Sequence, residues 1–179
     1  MKFIRVLDKW LRIFTMIAAY ISAIAVVVLA VATTADVLRR ATTGKSVPGV
    51  IEGTEVVLVF AVFLGLALTQ RELGHVSTSV VTNRLPPSIA AVVSVFGLAV
   101  VSLFCVWLAE ASIVKSVYST QAGEYRYGLL QVPIWPGRIA VAVGTTVLAL
   151  EMIRRFLIEM SKAIRLIQSA STNQSKATL

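Results

Sequence analysis

Four long apolar stretches set the terms for this chain. Ile13–Ala35, Val56–Gln70, Ser88–Ala109 and Ile139–Leu150 contain no Asp, Glu, Lys, Arg or His. With its flanks, each reaches the roughly 20 residues that a helix needs to cross a bilayer. Lipid offers no hydrogen bonds to a bare backbone, so each stretch must satisfy its own and therefore coil into a helix. The runs are continuous rather than alternating, which excludes a β-barrel. The expected fold is an all-α integral membrane protein with four transmembrane helices, spans near 11–37, 51–70, 87–117 and 134–156, forming a single domain.

Charge bounds the function. Only 15% of the 179 residues are charged, and 57% are hydrophobic. A charge at the centre of a bilayer costs roughly 2.5–3.5 kcal/mol on insertion scales, so a pump keeps one only where it uses it. These stretches bring no ion or proton relay of their own. The net charge of +8 gathers at the helix ends, where anionic lipid headgroups are nearer partners than nucleic acid. One cysteine, Cys105, makes neither an internal disulfide nor a zinc site, and one histidine, His75, cannot supply paired haem ligands. No cofactor and no enzymatic chemistry is expected.

The basic N-terminus, with Lys2, Arg5, Lys9 and Arg12, imitates a secretory signal. The apolar run behind it exceeds a signal's 7–15 residues, so it reads as an uncleaved first span. Phe3, Ile4, Leu7 and Leu11 fall near helical spacing, as in a segment lying in the interface before the chain turns in. Asp36, Arg39 and Arg40 close span 1, and Thr42–Gly49 forms a turn. Span 3 begins at Pro87 and keeps a helical pattern to about Thr120, longer than a ~30 Å core requires. Residues 161–179 begin as a basic amphipathic continuation and end as a polar, irregular tail.

Most of the 17 basic residues fall in the N-terminal segment, the loop between spans 2 and 3, and the C-terminus. The positive-inside rule then places both termini in the cytoplasm. Small-x-x-x-small pairs, including Ala61/Gly65 and Ala140/Gly144, allow close helix approach and mark spans 2 and 4 as candidate packing faces. The outer end of span 3 and its loop carry Glu110, Lys115, Tyr118, Arg126 and Arg138. Such a mixed charged and aromatic surface fits an aromatic belt at the headgroups or a protein-docking patch.

Arg71–Pro87 is the richest segment, reading R-E-L-G-H-V-S-T-S-V-V-T-N-R-L-P-P. A short interfacial element is expected there, between spans 2 and 3. Glu55 opening span 2, Arg71 leaving it, His75-Val76, Leu85-Pro86, and Pro133-Ile134-Trp135 before the last span form a pattern. It resembles the small permease subunit of tripartite ATP-independent periplasmic (TRAP) transporters, the DctQ-like family. Thr78 and Ser79 depart from it, standing where the family usually has Val and Asp. The resemblance implies an accessory subunit of the bacterial inner membrane. It would scaffold a large sodium-coupled permease subunit and help dock a periplasmic binding protein that delivers an organic acid. The other readings weighed are a self-contained four-span exporter acting as a dimer, with Glu110 as its carboxylate, and a structural membrane protein unrelated to transport. A membrane redox enzyme lacks the cysteine pairs and histidines it would need.

Overall fold

A computed structural model describes residues 2–73, 87–126 and 131–177, with side chains placed over 8–72, 89–125 and 131–165. Four helices dominate: α1 (Lys2–Thr43), α2 (Val50–Leu73), α3 (Pro87–Gln121) and α4 (Trp135–Ala177). Three are long and apolar enough to cross a membrane, at Asp8–Thr43, Val50–Glu72 and Ile89–Gln121. Among the described residues α4 is not one of these; Arg138, Glu151, Arg154 and Arg155 flank its uncharged stretch.

Local structure differs from the sequence expectation in three places. The N-terminal segment does not turn in; it is the first part of α1, which runs unbroken from Lys2. Pro and Gly are absent there, so nothing stops the helix. Likewise α4 stays helical to Ala177, through the tail expected to be irregular. The loop after α3 contains a two-stranded antiparallel pair, β1 (Tyr125–Arg126) with β2 (Val132–Pro133). The interfacial element expected between spans 2 and 3, with His75, Leu85 and Pro86, lies outside the described residues.

The helices pack in the order α3–α4–α2–α1. Three neighbouring pairs hold nearly all the contact, α1 touches α4 lightly, and α1 and α3 do not close a ring. The seam of α1 is Leu11, Thr15, Ala18, Ser22, Ala25 and, further on, Asp36, all buried. These positions repeat alternately at four and three residues, the 3.5-residue period of a left-handed helix crossing. The buried seam of α3 has the same period, with Ser102, Cys105, Ala109, Ser116 and Ser119. Cys105 and Ala109 meet Ala149 and Met152 of α4. Small residues fill both seams because lipid supplies no hydrophobic drive between helices, and attraction comes from close approach. Large apolar side chains point outward instead: Tyr20, Phe96 and Leu103 are each at least 70% exposed.

Helices α4 and α2 approach closely at Gly144. A Cβ placed on Gly144 would fall on the carbonyl of Phe63. Gly65 of α2 lies against Ser22 of α1, whose hydroxyl donates to the Ala61 carbonyl at 2.5 Å. Ala140 is buried on the α4 face. All four packing candidates thus sit at or beside helix contacts within the chain. Gly144→Ala should separate α2 from α4 and destabilise the protein by about 1–3 kcal/mol, the usual cost of overpacking. Gly97→Ala, at a site with open space around it, should be harmless. Thermal unfolding of the two variants in mild detergent checks the contrast.

Candidate functional site

Glu151 is 2% exposed, the largest fully buried side chain among the described residues. It sits one residue past the uncharged stretch of α4. Arg71 at the end of α2 gives Nη1 to its Oε1 at 2.6 Å, and Arg154, one turn on, gives Nε to its Oε2 at 2.7 Å. The Thr15 hydroxyl of α1 donates to Oε1 at 3.3 Å. The two arginines also share Asp8 of α1, at 3.0 Å from Arg71 Nη2 and 3.2 Å from Arg154 Nη1. Two carboxylates and two guanidinium groups therefore close a ring with no net formal charge. Its members come from α1, α2 and α4. Arginine suits this place because its planar fork serves two acceptors at once and stays charged.

A second polar knot fastens the opposite end of α1. Asp36 is buried, and its Oδ1 accepts from Ser46 Oγ and the Val47 backbone N–H, each at 2.6 Å. Its Oδ2 takes Arg40 Nη2 at 2.9 Å. Asp36 thus does more than end a span: α1 continues to Thr43, and Asp36 holds the loop into α2. Gly44 and Gly49 take positive φ there, at 70° and 82°, which permits the tight return.

The loop after α3 is organised by β1 and β2. Ile134 N–H donates to the Glu124 carbonyl at 2.9 Å, and the Glu124 carboxylate faces Arg138 Nε at 3.6 Å. Pro133 pairs with Tyr125, and Trp135 opens α4 half-exposed. Lys115 lies over the Tyr118 ring, 5.4 Å from its centroid. Lys115 and Arg138 share the lining of one shallow cavity with Ser112, and Glu110 is exposed on the same helix. The side chain of Arg126 lies outside the described set. Glu55 is half-buried near the start of α2. Among the described residues no group of three His, Cys, Asp or Glu side chains could hold a metal ion.

Of the residues picked out from sequence, Arg71 alone enters the buried ring. Glu151, Arg154 and Asp8 were not singled out. Glu151 and Arg154 stand three apart on one helix, a pairing distance that could have marked them. Nothing local pointed to Asp8, 63 residues before Arg71.

The family model of tripartite ATP-independent periplasmic transporters, DctQ component, matches residues 29–161. No curated protein and no solved structure matches the chain significantly. The match covers well over half of the 179 residues, so the chain belongs to the DctQ family of small permease components. It is a multi-pass membrane component of a transporter and not an enzyme.

The ring makes a direct prediction. Removing one member of a buried ion pair strands its partner and costs roughly 3–5 kcal/mol. Arg71→Ala and Glu151→Ala should each destabilise the chain on that scale. The double variant should cost less than the two together by about 1–3 kcal/mol. Unfolding of the four proteins in mixed micelles measures the coupling; strictly additive losses would mean that the two side chains do not interact.

Proposed function

We propose that this DctQ-family chain is the scaffolding subunit of a TRAP transporter, crossing the inner membrane four times with both termini in the cytoplasm. It holds the large sodium-coupled permease subunit and helps dock the periplasmic binding protein that delivers an organic acid. The observation that carries the reading is the Glu151 ring. A carrier that moves ions or protons needs a carboxylate that can change partner or charge within the membrane. Here the buried carboxylate is committed to two arginines and spends its charge fastening three helices. The self-contained exporter is the weaker reading for the same reason. Its expected carboxylate, Glu110, is exposed on the flank of α3.

Four crossings are supported by helix direction. Residues Val56, Val59 and Phe63 of α2 meet Gly137 and Gly144 of α4 in rising order, so these helices run parallel. Helix α4 remains uncharged from Ile139 to Leu150, and Glu151, Arg71 and Asp8 gather at one end. That end carries most of the basic residues and is the cytoplasmic one. The family-pattern residues Glu55, Arg71, His75, Leu85, Pro86, Pro133 and Trp135 then have structural roles: Arg71 in the ring, Pro133 and Trp135 at the re-entry into α4. Ala61, Gly65, Ala140 and Gly144 set the helix spacing that the partner meets. Anionic headgroups accompany the basic ends.

A tagged chain should bring down the large permease subunit, identified by mass spectrometry, and should not transport organic acids alone in liposomes. Transport by the chain alone would overturn the scaffold. Reporter fusions at Ser46 and Gln121 should both read periplasmic; a cytoplasmic signal at either would remove the four-span topology.

The outer residues Glu110, Lys115, Tyr118, Arg126 and Arg138 form the docking surface for the binding protein. Such a transient contact is polar and salt-sensitive. Arg126→Glu should reduce uptake at low binding-protein concentration, and excess binding protein should partly restore it. Equal uptake at every concentration would leave only an aromatic belt.

A further inference from the structure

A cavity of about 270 Å³ opens between α1 and α2, beside the buried ring. Arg12, Thr15 and Met16 of α1 line one wall, and Leu68, Arg71 and Glu72 of α2 line the other. Both sets have the i, i+3, i+4 spacing of a single helix face. Arg71 and Thr15 at the back are already committed to Glu151 and Asp8. The mouth is different. Arg12 and Glu72 are exposed on opposite rims, and no ion pair joins either of them to a described residue.

The level of this cavity in the membrane follows from the sequence. Arg12 directly precedes the uncharged stretch that begins at Ile13, and Glu72 follows the stretch that ends at Gln70. Both rims therefore lie where the apolar core meets the headgroups. The formal charges of the ring cancel, so what remains at the mouth is one cation on the α1 wall and one anion on the α2 wall. A purely anionic ligand would satisfy Arg12 and be repelled by Glu72. A ligand carrying both signs a few ångströms apart suits both.

We propose that this cavity binds a zwitterionic phospholipid headgroup bearing a primary ammonium. The phosphate lies on the Arg12 guanidinium and the ammonium on the Glu72 carboxylate. Met16 and Leu68 offer an apolar wall to the glycerol and the first methylenes. A lipid seated there bridges α1 and α2 from the membrane side, while the ring joins them from within.

The same phosphate chemistry could come from a free anion or an anionic lipid, and the test separates these sources. The purified, delipidated full chain is titrated in detergent with phosphatidylethanolamine, phosphatidylglycerol, phosphatidylcholine and inorganic phosphate. Native mass spectrometry counts bound lipid, and tryptophan fluorescence follows thermal unfolding. Phosphatidylethanolamine should bind most tightly and raise the melting temperature. Arg12→Gln should weaken it about tenfold, the worth of one charge-assisted hydrogen bond. Glu72→Gln should weaken phosphatidylethanolamine by a similar factor while leaving phosphatidylglycerol unchanged or tighter. Both residues are exposed, so unliganded melting temperatures should stay near that of the wild type. Equal binding of all three lipids, or an equal shift from inorganic phosphate, would overturn the proposal. So would variants that bind lipid normally but no longer co-purify the large subunit, for then the rim belongs to a protein interface.

Discussion

The closed ring of Asp8, Arg71, Glu151 and Arg154 is the constraint on which the rest of the helix arrangement depends. Taking a carboxylate out of water costs several kcal/mol, and an unpaired one would not remain buried. Glu151 can sit at 2% exposure only while Arg71 and Arg154 are both within reach. That condition fixes the rotation of α2 about its axis, because Arg71 must face α4. It also fixes α1, because Asp8 must meet the same two arginines. A ring of this kind contributes little net energy relative to a packed apolar core. What it supplies is register: a shift of any of the three helices by one residue would strand a charge. Specification of register by a polar group is the best attested use of buried charge.

Register matters here because the remaining packing is weakly directional. Seams made of Ser, Ala, Cys and Gly permit close approach along their whole length, and one small residue resembles the next. The α1 seam, repeating every three and four residues from Leu11 to Asp36, could slide by a heptad without a severe clash. Two features oppose that. At one end is the charged ring; at the other Asp36 holds Ser46 and Val47. Between them Gly144 against Phe63 sets the distance at which α4 meets α2. Helix α1 is thus pinned at both ends, and α4 is held against α2 at Gly144.

The sequence made some of this legible and hid the rest for physical reasons. The helices follow from the apolar stretches, since lipid forces the backbone to coil. Arg71 and Trp135 were visible through a family pattern. The small-residue seam of α3, with Ser102, Cys105, Ala109, Ser116 and Ser119, is present in the sequence as a period, but one that small-x-x-x-small pairs do not pick out. Glu151 was hidden by its position. A carboxylate just past an apolar stretch, with Arg154 and Arg155 behind it, looks like the water-facing end of a span. Only the approach of α2 from a distant part of the chain makes it interior. Polar residues at the ends of α1 and α4 suggest stops, yet both helices run on, because helices stop for Gly, Pro and capping geometry.

The order α3–α4–α2–α1 leaves the molecule open, and openness bears on what it can do. A closed four-helix bundle buries its small residues around a common axis and could keep a polar path inside. This chain instead lays its helices side by side, so its large apolar side chains face outward on both sides. At the same time the charges near the membrane are sorted by position. Those that fasten helices are neutralised by partners around buried Glu151 and Asp36, and those without such a task, Lys115, Arg12 and Glu72 among them, are exposed. The scaffolding role proposed above asks for a subunit whose own helices hold their places. Internal charges that hold helices in place, with adaptable apolar faces around them, meet that need better than a set of helices free to slide.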